Sequence, residues 1–410
     1  MNIARVVSLV VAATAALVLG GVALTRASHS SQGASAAPGA QTGGYTDRAE
    51  RDVQIRVWNQ ALAADPTSAL VLGQLAALHL QRGREGGTFD EYVAAETLAR
   101  RSLEKRTNRN SGTAATLVSA LLAQHRFVEA RTVAAELVAR EPDVPEYRAA
   151  LADVSMELGD DAAADSLFRS VWEYRSTLTI AARLARWLEM NDHVPEARKL
   201  LAAARADAMT RRDVATETKA WFALRVGDLE LRCGRARAAE AAFRQGLALE
   251  PDDPRLFAAM ARLARDDEDY DDVIRWGERA IGMQLDPATL GLVGDAYAMQ
   301  GNTVKADEYF RTLEIAVSMQ PGAYHRAWSL YLLDHGLRVD EVLRKAQEEL
   351  RDRKDVYGYD VVAWALEKAG RHDEARVAMR EALRLNTPDP LLQRHARVIG
   401  LDLTAARAVE

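Results

Sequence analysis

Apolar and small residues recur along most of this chain with a spacing that predicts pairs of short amphipathic helices. The clearest stretch is Ala220–Pro251, AWFALRVGDLELRCGRARAAEAAFRQGLALEP. Gly227 and Ala239 stand where two helix backbones would approach closely, and Phe243 would fill the space beside them. Gly234 can take the left-handed conformation that ends a first helix. The stretch therefore predicts a helix–turn–helix hairpin.

One hairpin cannot bury its apolar face alone, so the pattern is expected to recur. The small residue of the second helix marks each recurrence, at Ala95, Ala130, Ala164, Ala197, Ala239, Val273, Ala306, Val342 and Ala375. Successive markers are 33 to 36 residues apart, except for a gap of 42 residues between Ala197 and Ala239. A period held over so many units predicts a linear array in which each hairpin stacks on its neighbours.

The order and spacing of these residues resemble the tetratricopeptide repeat (TPR) family, whose unit is about 34 residues long. The resemblance implies an all-α fold, an α-solenoid of about nine TPR-like hairpins over residues 45–402, followed by a tail at 403–410. The long gap contains a polar segment, residues 208–219, without Gly or Pro. We expect longer helices there and a possible boundary between two halves of the solenoid.

The N-terminal residues 1–26 have a different pattern. Val6–Leu24 is an uncharged run of 19 residues with Arg5 before it and Arg26 after it, which predicts a signal peptide or a membrane anchor. At about 1.5 Å per residue the run approaches the roughly 30 Å of a bilayer core, which favours an anchor. Cleavage near the small residues 34–36 is the alternative. Positive charge before the run predicts repeats on the outer side of a bacterial-type cell envelope.

Composition narrows the kinds of fold and of binding partner that fit the chain. Residues 27–44 hold no large apolar side chain before Tyr45 and predict a flexible linker. The hydrophobic fraction of 48% is enough for a continuous core, and the net charge of −6 disfavours nucleic acid as the main partner. Cys233 is the one cysteine, which excludes a disulfide framework within the chain.

Three features could carry chemistry, and each has a simpler interpretation. The Gly-rich insertion Arg84–Asp90 lacks the strand and the Gly-Lys-Ser/Thr of a phosphate loop, so it predicts an enlarged surface turn. The acidic run Asp266–Asp272 has Asp272 where a calcium loop needs Gly, so it predicts a solvated turn before a helix. The histidines near turns, which are His125, His193 and His372, are expected at the surface.

No sequence motif for a nucleophile, a metal site or a cofactor occurs in the chain, which predicts that it is not an enzyme. In the TPR family the first helices line a concave groove that binds peptides. We matched the groove positions of the family to each repeat of this chain. The match implies a largely apolar groove with these candidate partner-binding residues: Leu70, Leu80, Leu122, Met156, Trp221, Leu231, Met299, Leu333 and Trp364. Isolated charges lie between them, namely Asp153, Arg186, Asp228, Arg262 and Asp295. For each apolar residue the alternative is packing within the array.

The resemblance therefore implies a non-enzymatic protein–protein interaction scaffold that binds a peptide or an amphipathic segment of a partner. An apolar segment suits an apolar groove, because burial of apolar area stabilises such contacts. Two other readings stay open. One is an enzyme whose site has no recognisable motif, and the other is a secreted solenoid that binds a glycan or cell-wall polymer.

Overall fold

The computed structural model describes residues 43–319 and 325–401, which form twenty α-helices, one short 3-10 turn at Trp172–Tyr174 and no strand. The α-helices, in chain order, are α1 (Gly43–Ala64), α2 (Ala69–Arg84), α3 (Asp90–Lys105), α4 (Ser111–Ala123), α5 (Phe127–Arg140), α6 (Pro145–Leu158), α7 (Asp161–Ser170), α8 (Leu178–Met190), α9 (Val194–Thr210), α10 (Thr216–Arg232), α11 (Ala236–Leu249), α12 (Pro254–Asp266), α13 (Tyr270–Met283), α14 (Pro287–Met299), α15 (Thr303–Met319), α16 (His325–Asp334), α17 (Val339–Glu349), α18 (Val356–Lys368), α19 (His372–Ala382) and α20 (Pro390–Ile399).

Consecutive helices pack as hairpins, from α2 with α3 through to α18 with α19. The first helix of most hairpins also contacts the first helix of the next, as α10 does with α12 and α12 with α14. Helix α1 packs against α2 before the first hairpin, and α20 packs against α19 after the last. The described residues therefore form nine stacked hairpins, numbered here as repeats one to nine, and the predicted TPR-like α-solenoid is confirmed.

The small residues of the consensus are required where two helices touch. A Cβ atom on Gly227 of α10 would overlap the ring of Phe243 on α11, and Phe243 is fully buried. Gly294 and Phe310 repeat this contact two hairpins later. Gly234 has a φ of +70° at the turn between α10 and α11, where its lack of a side chain avoids strain. The hairpin predicted for Ala220–Pro251 is thus present.

The long gap between markers lengthens the two helices that flank it. Helices α9 and α10 have 17 residues each, whereas α8 has 13 and α11 has 14. The expected longer helices are confirmed. A boundary between two halves at residues 208–219 stays a prediction.

The array coils tightly enough for successive superhelical turns to touch. An N-terminal seam joins residues 47–48 and 85–87 to residues 216–284. In it Thr216 N donates to Asp47 (2.9 Å), and Gln284 Nε2 donates to the Gly87 carbonyl (3.1 Å). The Arg48 guanidinium lies 3.1 Å from Glu250.

A C-terminal seam joins residues 157–186 to residues 353–384. Lys354 N donates to the Leu158 carbonyl at 2.9 Å, and Arg384 Nε donates to Asp161 at 2.6 Å. The hydrogen-bonded partners across the two seams are 169 to 223 residues apart. One superhelical turn therefore takes about five to six and a half repeats of about 34 residues.

The insertion Arg84–Asp90 is an enlarged turn with exposed residues, as predicted, and it also belongs to the N-terminal seam. Glu85 is 5% exposed and forms an ion pair with the buried Arg51. Gly86 packs against the Pro254 ring of the next superhelical turn. A contact between such distant residues leaves no local pattern, so the sequence did not predict it.

The acidic run Asp266–Asp272 matches its prediction. Asp269 caps α13 by accepting a hydrogen bond from Asp272 N at 3.1 Å, and the helix begins at Tyr270. A carboxylate at that position satisfies an amide that has no partner within the helix.

The predictions for residues 1–26 and for the tail 403–410 lie outside the described residues, as does the linker up to residue 42. Helix α1 begins at Gly43, so it includes the last two residues of the predicted linker. None of the helices in residues 43–319 and 325–401 is both long enough and apolar enough to span a bilayer. Export and anchoring stay predictions.

Candidate functional site

A cavity of about 720 Å³ lies inside the first superhelical turn. The first helices of repeats three to five, α6, α8 and α10, supply most of its wall. The ends of α2 and α4 and the starts of α3, α5 and α12 complete it. Its volume lies within the range of roughly 300–1,000 Å³ that is typical of sites for bound molecules.

One position in each repeat defines what we call the inner column. It precedes the marker residue of the same repeat by eleven positions and contains Arg84, Ser119, Asp153, Arg186, Asp228, Arg262, Asp295, Tyr331 and Trp364. The charge alternates in sign through repeats three to seven. Arg262 donates to Asp228 of the preceding repeat at 2.9 Å. The charges predicted between the apolar positions therefore lie in one column along the repeats, and the largely apolar groove stays a prediction.

Most charges on the cavity wall are paired. Arg183 Nε donates to Asp153 at 2.5 Å, one repeat away. Arg255 donates to Glu217 at 2.9 Å and to Asp253 at 2.6 Å. These pairs link neighbouring repeats and hold the arginine side chains in fixed positions.

Two cavity arginines, Arg186 and Arg225, have only distant carboxylates. Arg186 donates to the Tyr357 hydroxyl at 2.6 Å, but its guanidinium lies 3.5 Å from the Glu189 carboxylate. Arg225 likewise lies 3.5 Å from Asp228. Both carboxylates have closer partners, since Arg232 binds Glu189 through two nitrogens and Asp228 is held by Arg262 as described above.

The cavity changes the ionisation of groups on its wall. Burial raises the pKa of Asp153 and of Glu157 in spite of the nearby arginines. Burial also lowers the pKa of Arg225, and Asp228 offsets this only in part. Burial and the Arg353 charge lower the pKa of His125 to about 4, so its ring is neutral at pH 7. His125 retains exposed surface and lines the cavity.

The structure brings together three of the nine predicted groove residues. Leu122, Met156 and Trp221 line the cavity. Leu70 (50% exposed) and Met299 (66% exposed) lie on other surfaces, and Leu80 and Leu231 are partly buried outside it. Leu333 and Trp364 are buried in the core, with exposures of 0% and 4%. Leu333 and Trp364 therefore pack within the array, which was the alternative to partner binding in the sequence analysis.

Sequence reasoning missed Glu217, Arg225 and Arg183 as wall residues. A signal was available for two of them, because Glu217 and Arg225 lie four residues before and after Trp221 and thus share its helix face. His125 is an exposed turn residue as predicted, with a φ of +58°, and it also lines the cavity. His193 and His372 are exposed, as expected.

A second cavity, of about 540 Å³, lies on another side of α7 and α8. Trp172 (43% exposed) lies at its wall together with Asp165 and His193. The Arg175 guanidinium lies 5.3 Å from the centre of the Trp172 ring. Trp172 is a single exposed indole there, and it is already in contact with a cation.

The described residues hold few groups suited to covalent or metal chemistry. Across residues 43–319 and 325–401, no three His, Cys, Asp or Glu side chains are grouped so that they could hold a metal ion. Cys233 follows α10, and burial raises the pKa of its thiol, which makes the thiolate scarce at neutral pH. The most distinctive feature of the cavity is therefore its set of charged side chains, some in close ion pairs and others, such as Arg186 and Arg225, at longer distances from a carboxylate.

No protein-family model matches the chain, and no curated protein matches it either. Among solved structures it is similar to PilF of Pseudomonas aeruginosa, with 16% identity over 52% of this chain and 95% of that one and a TM-score of 0.40. It is also similar to PilW, a type IV pilus biogenesis factor (18% identity, 53% and 98% covered, TM-score 0.43). Human IFIT1, a dimer with m7Gppp-AAAA, has 14% identity, 83% and 87% covered, and a TM-score of 0.47. At these identities the likenesses say nothing about what this chain binds.

Proposed function

We propose that the chain is a non-enzymatic interaction scaffold that holds a short segment of a partner protein in the cavity of its first superhelical turn. The observation that supports this is the cavity itself, whose wall combines apolar side chains such as Trp221 and Leu122 with charged ones. Side chains of both kinds are typical of sites that bind and orient an extended segment. The apolar run Val6–Leu24 favours a location in the cell envelope, with the chain anchored or exported.

A photoreactive phenylalanine analogue at Trp221 tests the proposal in the full-length chain in native membranes. We expect a discrete adduct with one or a few proteins, because the side chain lines the cavity. The matched control carries the analogue at Val377, which is 60% exposed on α19 and does not line the cavity. Identical adducts from both positions, or none from Trp221, would show that the cavity does not hold a partner.

An enzyme is the second candidate, and the shifted pKa values of Asp153, Glu157 and His125 favour it. Against it, Asp153 is committed to Arg183 and Glu157 lies 3.5 Å from Arg353. The Trp221 adduct distinguishes the two. A crosslinked partner with no modification outside the crosslinked peptide supports the scaffold, whereas a further covalent change on the partner that disappears in Glu157→Gln supports the enzyme.

A further inference from the structure

We infer that the cavity binds an acidic residue of the partner segment, an Asp or Glu carboxylate held between the guanidinium groups of Arg186 and Arg225. This inference rests on the proposed function and specifies the chemistry of the segment. Both arginines line the cavity from neighbouring first helices, α8 and α10. A planar guanidinium presents paired donors that match a carboxylate, and two of them can hold it from two sides.

These two arginines differ in what they contact from Arg183 and Arg255 on the same wall, and the remaining wall arginine, Arg84, is exposed. Arg183 and Arg255 each have a carboxylate within 2.9 Å, and so does Arg262 at the next repeat. The corresponding distances for Arg186 and Arg225 are both 3.5 Å. Their donors are therefore available for a carboxylate that the chain itself does not supply.

The surrounding charge favours an anion. The cavity wall carries five arginines and three carboxylates, namely Arg84, Arg183, Arg186, Arg225 and Arg255 against Asp153, Glu157 and Glu217. Because the guanidinium groups are in excess, a carboxylate of the partner segment lowers the net positive charge of the wall.

Apolar side chains indicate what lies beside the acidic residue. Trp221 is one helical turn before Arg225 on α10, and Leu122 and Met156 line the same cavity. The segment should therefore carry its acidic residue next to apolar ones. An acidic segment without apolar neighbours would leave the wall at Trp221 uncovered.

The test uses the purified full-length chain and an immobilised library of random heptapeptides with capped ends, in which phosphoserine is included. Wild-type protein should retain peptides with Asp or Glu beside apolar residues. Arg225→Gln should weaken the selected peptides by about tenfold or more, because a hydrogen bond to a charged group is lost. Arg225→Lys should restore part of the affinity. Arg169→Gln is the control, since the Arg169 side chain is 79% exposed and lies outside the cavity.

Arg225 is the better position for the variant, because Asp228 stays paired with Arg262 when the Arg225 charge is removed. Arg186 bonds to Tyr357 across the C-terminal seam, so its loss would also disturb the fold. An unchanged thermal midpoint confirms that Arg225→Gln is folded.

Each other outcome overturns a stated claim. Selection of peptides without an acidic preference would overturn the carboxylate site and leave the scaffold standing. Enrichment of phosphoserine over Asp and Glu would overturn the choice of a carboxylate. Retention of no peptide would contradict the proposed function and the inference together.

Discussion

The inner column differs between the first superhelical turn and the last repeat. In repeats three to five it contributes Asp153, Arg186 and Asp228, and a cavity lies beside α6, α8 and α10. In repeat nine it contributes Trp364, which is 4% exposed. Trp364 stacks on His395 at 4.2 Å with the ring planes 10° apart, and its Nε1 donates to Asp334 at 2.9 Å. The same backbone register thus encloses a cavity in one region and a packed core in the other.

The difference follows from what each side chain requires. A guanidinium or carboxylate taken out of water needs a partner and good geometry, so charged walls keep space and hydration between them. An indole gains free energy by excluding water and by close contact with other rings. The repeat backbone therefore does not by itself create a binding site. The side chains of the inner column decide whether a region holds a cavity or a packed core.

The largest expected effect on stability comes from a substitution in the packed core, at Trp364. Trp364→Ala should lower the free energy of unfolding by about 3–5 kcal/mol, because it leaves a void beside His395. Trp221→Ala, in the hollow region, should cost about 1–2 kcal/mol, since that ring is only partly buried. Denaturant unfolding of both variants checks this. Equal losses would mean that the two regions are packed alike.

A second variant tests whether the C-terminal seam keeps the hollow region closed. Gly159 has a φ of +76°, and a Cβ there would overlap the Lys354 carbonyl group across the seam. Gly159→Ala should cost about 1–2 kcal/mol for the left-handed conformation and about 1–3 kcal/mol more for the overlap. Gly234 has a φ of +70° and no atom near the position of a Cβ. Gly234→Ala should therefore cost only about 1–2 kcal/mol, the amount for the left-handed conformation.

Hydrogen exchange at the Lys354 amide provides the specific measurement for the seam. This amide donates to Leu158 across the seam and should exchange faster in Gly159→Ala than in Gly234→Ala. Equal exchange rates in the two variants would indicate that the seam does not depend on this contact.

A third variant tests the charged wall. Glu189 is 2% exposed, and Arg232 and Arg186 lower its pKa although burial opposes them. Glu189→Gln should cost about 2 kcal/mol at pH 7, because buried guanidinium groups lose their partner. Glu240→Gln removes one member of an exposed ion pair with Arg244 and should change stability by less than about 0.5 kcal/mol.

The pH dependence of this variant follows from the direction of the pKa shift. A lowered folded pKa means that Glu189 stabilises the fold above its ordinary value of 4.5 and loses that contribution as the pH falls below it. The difference between wild type and Glu189→Gln should therefore shrink in acid. A difference that is the same at pH 7 and pH 3 would rule out an ionic origin.

The smallest effect, of opposite sign, is expected at Glu157. Burial raises its pKa, so its ionised form costs free energy in the folded chain at neutral pH. Glu157→Gln should raise stability by less than about 1 kcal/mol at pH 7, and the gain should vanish where the wild-type carboxyl is protonated. Glu136→Gln, at a side chain 62% exposed, serves as the control. A loss of stability at pH 7 would show that contact with Arg353 outweighs burial.

Local spacing was sufficient to predict the repeat fold. Gly227, Gly234 and Phe243 specify a hairpin through backbone approach and turn geometry, and these requirements lie within about 20 residues of one another. The same holds for the cap at Asp269. Period and small residues therefore determined the number of hairpins, their order and the stacking of neighbours, because each contact involves residues that are close in sequence.

Only the tertiary structure decided where the solenoid closes and what its interior contains. Gly86 meets Pro254 and Leu158 meets Lys354 because the array returns on itself, and small rotations summed over five or six repeats set that meeting. The cavity at Trp221 depends on the same return, because Arg84 and Tyr92 of the first repeat line it, whereas Trp364 contacts Asp334 and His395 in neighbouring helices. The sequence by itself determined the repeats. The candidate site was determined by the rotations between successive repeats, which add up along the array and are not visible in any local sequence pattern.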